Sequence, residues 1–185
     1  MDLGCGRGEL LERLIASRNI QARGVEIHAD AIKTCIEKGL SVYQGDIDDG
    51  FEDFDDGVFD VVILNLTVAM LHTPHTVLQE VVRIGQRAIV SFYNLGYLPR
   101  RQKFAATGCV SELHPDGDRW YESLQIHPFS IIDFERLCER LGITCEHATW
   151  LDEQFRSFVA DSSQAQDRAS TAVYLLRRAG SVPSS

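Results

Sequence analysis

The chain lacks any apolar run of the length a bilayer demands. A membrane-spanning helix needs ~20 consecutive apolar residues, whereas the longest runs here are strand-length and broken by Asp60 and Asn65. No helical membrane span is expected, and the N-terminus does not read as a signal peptide. A Cys-x-x-Cys pair is also missing. The five cysteines (Cys5, Cys35, Cys109, Cys138, Cys145) are scattered and odd in number. That argues against a disulfide framework or a zinc site and makes a reducing cytoplasm the expected compartment. Basic residues are few, 18 against 27 acidic ones, for a net charge of −9. Attraction to nucleic acid depends on neutralising phosphates with Lys and Arg, so a nucleic-acid partner is not expected. What is present is 44% hydrophobic residues in a chain of 185. That suffices for one domain with a sizeable core, expected over residues 1–178 with 179–185 as a flexible tail.

The most informative stretch is the first. Met1-Asp-Leu-Gly-Cys-Gly-Arg-Gly8 reads as the end of a buried strand entering a Gly-x-Gly-x-Gly turn, with a helix over Glu9 to Ser17 behind it. Such a turn takes positive φ and lets a ligand approach the main chain, and the helix aims unpaired N–H groups at that ligand. A dinucleotide fingerprint wants Gly-x-Gly-x-x-Gly/Ala. Three residues after Gly6 stands Glu9, bulky and anionic where a pyrophosphate would lie. A nucleoside cofactor is expected, and a dehydrogenase is not.

Asp-x-Gly-x-Gly-x-Gly resembles motif I of the class I S-adenosylmethionine (SAM) methyltransferases. That resemblance implies an α/β, Rossmann-like fold. Its sheet is mostly parallel and seven-stranded, in the order 3-2-1-4-5-7-6, with a C-terminal antiparallel β-hairpin. Later landmarks fall in the same order. Ala22-Arg-Gly-Val-Glu26-Ile27 reads as a strand ending in a carboxylate that accepts both ribose hydroxyls. Ser41 to Gln44 runs into Gly45-Asp46-Ile47, where the family places an acidic side chain beside the adenine amino group. Val58 to Asn65 is a nearly continuous apolar run, the pattern of a parallel strand buried on both faces. By resemblance the cofactor is SAM or S-adenosylhomocysteine (SAH), bound by Asp2, Gly4, Cys5, Gly6, Gly8, Glu26, Ile27, Gly45, Asp46, Ile47 and Asn65.

Strand and helix alternate through residue 93, with helices over Ala29 to Lys38, closed by Gly39, and His75 to Ile84, closed by Gly85. Arg87 to Tyr93 is the fifth strand. Regularity lapses from Asn94 to Phe129, an insert long enough to be functional or disordered. Ser130-Ile-Ile-Asp133 predicts a capping box on a helix that Gly142 ends. Ile143 to Trp150 and Thr171 to Arg177 predict the closing strands, joined by a polar stretch from Asp152 to Arg168. Only Met1 to Leu3 precede the glycine turn, against the usual ~5 residues of a central strand. A truncated first strand is expected, from a late start or a fragment.

Val42-Tyr-Gln-Gly-Asp-Ile-Asp48, Arg83-Ile-Gly-Gln-Arg-Ala-Ile-Val-Ser-Phe-Tyr-Asn94-Leu-Gly96, Trp120-Tyr121, Ile126-His127 and Asp133-Phe134 through Leu141-Gly-Ile143 resemble the methionine-biosynthesis MetW family. The resemblance covers about residues 1–150 and is strongest around Arg-Ala-Ile-Val-Ser-Phe and Asn-x-Gly. Tyr93 and Asn65-Leu-Thr-Val depart from the family's usual residues. The resemblance implies a protein that supports homoserine O-acyltransferase, with active small-molecule methyl transfer as the alternative.

Methyl transfer needs chiefly proximity and orientation, sometimes with a base, and no base stands out. Asn65-Leu66-Thr67 does not match the Asn/Asp-Pro-Pro-Tyr/Phe of nucleobase amino-methyltransferases. His72 and His75 flank Pro74 without a third clustered ligand, so no metal is expected and a loop-to-helix junction is the simpler reading. Trp120, Tyr121 and His127 read either as acceptor-site residues or as local packing. Arg100 and Arg101, in Pro99-Arg-Arg-Gln-Lys103, read either as a solvated face or as a docking surface for an anionic ligand or a partner.

Overall fold

The computed structural model describes residues 1–18, 20–110 and 120–180. The expected tail, from residue 181, and the heart of the insert, residues 111–119, lie outside the described residues. The first half alternates as anticipated: β1 (Asp2–Leu3), α1 (Glu9–Arg18), β2 (Arg23–Glu26), α2 (Ala29–Glu37), β3 (Ser41–Gln44), β4 (Phe59–Asn65), α3 (Pro74–Ile84) and β5 (Gly85–Tyr93). Then follow α4 (Leu98–Thr107), α5 (Ile131–Leu141), β6 (Ile143–Leu151), β7 (Ser157–Phe158), α6 (Ser162–Arg168) and β8 (Thr171–Arg178).

One 8-stranded sheet runs β3-β2-β1-β4-β5-β8-β6-β7. Strands β1 to β5 pair parallel, while β8 is antiparallel to both β5 and β6. The expected order is therefore present with β8 as the family's seventh strand. The additional strand is β7, two residues paired with the outer end of β6. The closing strands are not joined by a simple turn either. Their polar connection folds into β7 and α6, the latter capped by Asp161, whose side chain accepts from the Gln164 N–H.

Strand β1 is short but fully paired, with Asp2 opposite Gly24 on β2 and Ile63 on β4. Met1 continues the ladder. Its amino group donates to the Val61 carbonyl at 2.9 Å, and the Ile63 N–H donates to the Met1 carbonyl at 2.8 Å.

Gly85 does not end α3 in the left-handed way expected of a closing glycine. Its φ is −100°, and it opens β5 directly. Its role is steric, because a Cβ there would lie 2.8 Å from the Arg87 carbonyl and from Val62 Cγ2. The insert also holds more order than its Gly and Pro content suggests. Pro99 sits in the first turn of α4, where its missing N–H costs nothing. The capping box of Ser130 and Asp133 on α5 and the left-handed Gly142 after it form as read from sequence.

The main core lies where β4, β5 and β8 meet α3 and α5. Phe92, Phe134 and Tyr174 are fully buried there. Phe92 lies 4.6 Å from Phe129 and 4.8 Å from Phe134 between ring centroids, so the end of the insert is pinned by aromatic packing. The Asn-x-Gly segment is part of the same joint. Asn94 is fully buried, and its Nδ2 donates to the Gln166 and Ala169 carbonyls at 2.9 and 2.8 Å. Its Oδ1 accepts from the Gly96 and Ile131 N–H groups. This asparagine ties the end of β5 to α5 and α6.

Candidate functional site

Parallel strands end their carboxyl termini on one rim, and ligands of such sheets bind where neighbouring connections leave in opposite directions. In this chain that switch point lies between β1 and β4. A cleft of about 490 Å³ opens there, lined by Gly4, Glu26 to His28, Gly45 to Asp48, Asn65 to Thr67, Met70 to His72, Ser123, Leu124 and Ile126. Of the predicted cofactor residues, Gly4, Glu26, Ile27, Gly45, Asp46, Ile47 and Asn65 come together in this lining.

Glu26 is the pivot. It is 6% exposed at the end of β2. Its Oε2 accepts from the Gly6 N–H at 2.8 Å, and its Oε1 accepts from the Ile27 and His28 N–H groups at 3.0 and 2.9 Å. The His28 ring nitrogen Nδ1 lies 2.7 Å from the same Oε1. Burial alone works to raise the carboxyl pKa, but the hydrogen bonds from His28, Gly6 and Ile27 outweigh it and hold the group below its usual range. An ionised carboxylate is thus fixed against the glycine turn, with Oε2 accepting one bond among the described residues.

Asp46 spends one oxygen capping a 3-10 turn, where it accepts from the Asp48 N–H at 3.0 Å. Asp48 clamps that turn to the loop after β4, accepting from the His72 N–H (2.9 Å), the Thr73 N–H (2.8 Å) and the Thr73 hydroxyl (3.0 Å). Burial works to raise its pKa, yet these bonds hold it below the usual carboxylate range.

The glycines of the turn divide the work. Gly8 has φ +78° and is pressed against α2 and Leu40 beyond it, where a Cβ would meet Leu40 Cδ1 at 2.4 Å and Cys35 Sγ at 3.0 Å. Gly6, at φ +54°, has open space where its Cβ would be and gives its N–H to Glu26; of the three turn glycines only Gly4 is in the cleft lining.

Other predicted residues lie elsewhere. Asp2 is 2% exposed and lines a separate cavity of about 430 Å³ with Met1, Ala22, Arg23, Phe59 and Val61 among others. Burial pushes its carboxyl up to about 6, opposed by the Met1 amino group and reinforced by Glu26. The Cys5 side chain is buried in a small cluster with Leu11 and Cys35. Burial, then the neighbouring Cys35, pushes the Cys5 thiol up to about 12, which leaves it a packed, unreactive group at neutral pH. Trp120 and Tyr121, 68% and 60% exposed, contact each other edge to face outside the cleft lining. His127 also stays out of the lining; its N–H donates to the Ala69 carbonyl. Arg100 sits over the rings of Tyr93 and Tyr97, 5.8 and 5.7 Å from their centroids, and Arg101 pairs with Asp167. Among the described residues no three His, Cys, Asp or Glu side chains cluster in a metal-binding arrangement, and no helix is long and apolar enough to cross a membrane.

The sequence did not single out His28, Thr67, Met70, Leu71, Ser123 and Leu124 as lining residues. Ile27 is one apolar wall at 50% exposure, and Met70, Leu124 and Ile126 supply others. An apolar residue just after a strand-ending carboxylate was the available signal. No local signal marks the others, because loops far apart in sequence bring them in.

The donor set fits a SAM-type nucleoside. To such a ligand the cleft offers the Glu26 carboxylate for hydroxyls, Ile27 and Ile47 as apolar walls with Asp46 beside them, and the main chain at Gly4.

Comparison with known proteins identifies the fold and the family. The SAM dependent methyltransferase from Archaeoglobus fulgidus has a TM-score of 0.67 to this chain at 18% identity, covering 96% of this chain and 84% of that one. The plantazolicin methyltransferase BpumL, in complex with a pentazolic desmethylPZN analog and SAH, has a TM-score of 0.66 at 13% identity, covering 96% and 75%. These likenesses establish the class I SAM-methyltransferase fold. In sequence, the chain is 26% identical over 187 residues to the bifunctional methionine biosynthesis protein MetXA/MetW of Rhodopirellula baltica. The match takes in 96% of this chain and 30% of that protein, so the chain spans under a third of its relative. The family of methionine biosynthesis protein MetW matches residues 1–176, and the chain belongs to it.

Proposed function

We propose that the cleft binds SAM or SAH and that the protein supports homoserine O-acyltransferase in methionine synthesis. The observation that carries the cofactor reading is Glu26, ionised and held against the glycine turn at the end of β2. Charged hydrogen bonds to ribose hydroxyls contribute about 1.5–3 kcal/mol each. The partner reading is supported by the relative whose name joins MetXA and MetW in one bifunctional protein. The SAM concentration would reach the acyltransferase through linkage if free and complexed forms bind SAM with different affinity, typically by about 1–3 kcal/mol.

The test has two parts. Calorimetric titration with SAH should show micromolar binding that Glu26→Ala abolishes. Purified homoserine O-acyltransferase should then gain activity when this chain is added, with no SAM consumed. Unchanged acyltransferase activity at saturating chain and SAH would sink the partner role.

The second reading is methyl transfer to a small molecule. It is favoured by Ser123, Leu124 and Ile126, which bring the insert to the cleft beside Asn65 and His72. A methylated product found by mass, and lost in Glu26→Ala, would establish it.

A further inference from the structure

Asn65 and Ser91 stand opposite each other in the parallel pairing of β4 and β5. Ser91 is buried, and its hydroxyl both accepts and donates. It accepts from the Leu66 N–H at 3.0 Å and lies 2.7 Å from Asn65 Oδ1. A hydroxyl has one hydrogen to give. If the Asn65 amide were turned the other way, that hydrogen would face an N–H₂ group and lose its acceptor in a buried site, which is costly. The 2.7 Å separation is also the usual length of an O–H···O bond. The amide is therefore fixed with its oxygen toward the sheet and Nδ2 toward the cleft, where no acceptor meets it among the described residues.

Neighbouring groups hold this end of the site in place. Leu66 carries a positive φ of 61°, an unfavourable conformation for a branched side chain, at a position facing the cleft. The Thr67 hydroxyl lies 3.3 Å from the Leu3 carbonyl and 3.1 Å from the Asn65 carbonyl, so its hydrogen is spent on the backbone. The Thr67 side chain also covers Gly4, where a Cβ would come within 2.9 Å of it. The Asn65 loop is thus stitched to the glycine turn. Among the described residues the lining is otherwise rich in acid, with Glu26, Asp46 and Asp48, and contains no Lys or Arg. A ligand ammonium is well served by this cleft, whereas a ligand carboxylate must find neutral donors.

We infer that Asn65 donates its Nδ2 hydrogens to the α-carboxylate of the bound nucleoside's amino-acid moiety, and so selects a ligand bearing that carboxylate over one without it. This inference rests on the SAM or SAH reading of the cleft. Ser91 is the positioning residue that sets the orientation of the amide. The same orientation opposes use of Asn65 Oδ1 to receive an amine substrate, because that oxygen is engaged by Ser91.

Calorimetric titration with SAH and with 5′-methylthioadenosine, the nucleoside thioether that lacks the amino acid, separates the parts. The wild-type chain should bind SAH at least about tenfold more tightly, as losing one charge-assisted hydrogen bond implies. Asn65→Asp keeps the acceptor for Ser91 but puts an oxygen where Nδ2 was. It should lose that preference while 5′-methylthioadenosine binds within about twofold of wild type. Asn65→Ala should lose most of it without added charge, so the inference stands or falls even if the aspartate variant does not fold. Ser91→Ala should reduce the preference and Ser91→Thr should restore it. Equal weakening of both ligands in the Asn65 variants, or no weakening of SAH, overturns the inference. Failure of the folded wild-type chain to bind either ligand instead overturns the cofactor reading beneath it.

Discussion

The Glu26 carboxylate and the Gly6 amide are 2.8 Å apart, and this contact closes the end of β2 onto the glycine turn. Replacing Glu26 by Ala leaves the Gly6, Ile27 and His28 N–H groups without their acceptor. The expected cost is about 1–3 kcal/mol of stability, read by urea unfolding, together with loss of SAH binding. Glu26→Gln should retain more stability than affinity, since an amide still accepts from the backbone but carries no charge.

The pH dependence follows from the same bonds. Glu26 and Asp48 both titrate below their ordinary values in the folded chain. Their contribution to stability is present above the unfolded values, about 4.3 for Glu and 3.9 for Asp, and is lost as pH falls through the lower folded ones. Thermal unfolding between pH 5 and pH 3 should show this loss, and Glu26→Gln should flatten it.

Asp2 works in the opposite sense. Its folded pKa, pushed up to about 6 by burial, exceeds the unfolded value of ~3.9. Its contribution is therefore most favourable below the unfolded value and declines as pH rises through about 6. Asp2→Asn should stabilise the chain at pH 7 by about 2 kcal/mol. The gain should shrink as the pH is lowered toward 4, and an unchanged melting temperature at pH 7 would contradict it.

Asp48 should matter to both stability and binding. It receives the His72 and Thr73 donors and so sets the loop that forms one wall of the cleft. Asp48→Ala is expected to cost about 1–3 kcal/mol and to weaken SAH binding several-fold, measured by denaturation and calorimetry on the same samples.

The two arginines of α4 should separate. Arg100 packs over two tyrosine rings and donates to the Asn94 carbonyl at 3.2 Å. Arg101 forms an ion pair whose partners are about half exposed. Arg100→Ala should cost about 1–2 kcal/mol and Arg101→Ala under about 1 kcal/mol, with SAH affinity unchanged in both.

The sequence by itself determined the alternation of elements, because strand and helix periods, the glycine turn, the capping box at Ser130 and the left-handed Gly142 are local signals. It also marked residues that meet in the cleft, since Glu26 ends one strand and Gly4 and Asp46 each stand just beyond another. Elements whose support comes from distant partners were not legible. Helices α4 and α6 form in stretches that read as irregular, and both join the joint around Asn94. The orientation of the Asn65 amide depends on Ser91, 26 residues away and one strand over. The placement of Asp2 outside the cleft, and of Leu124 within it, was likewise decided only by folding. Backbone preference is set by a residue and its near neighbours. A hydrogen-bond partner or a cleft wall is set by which strands become adjacent, and only the tertiary structure decides that.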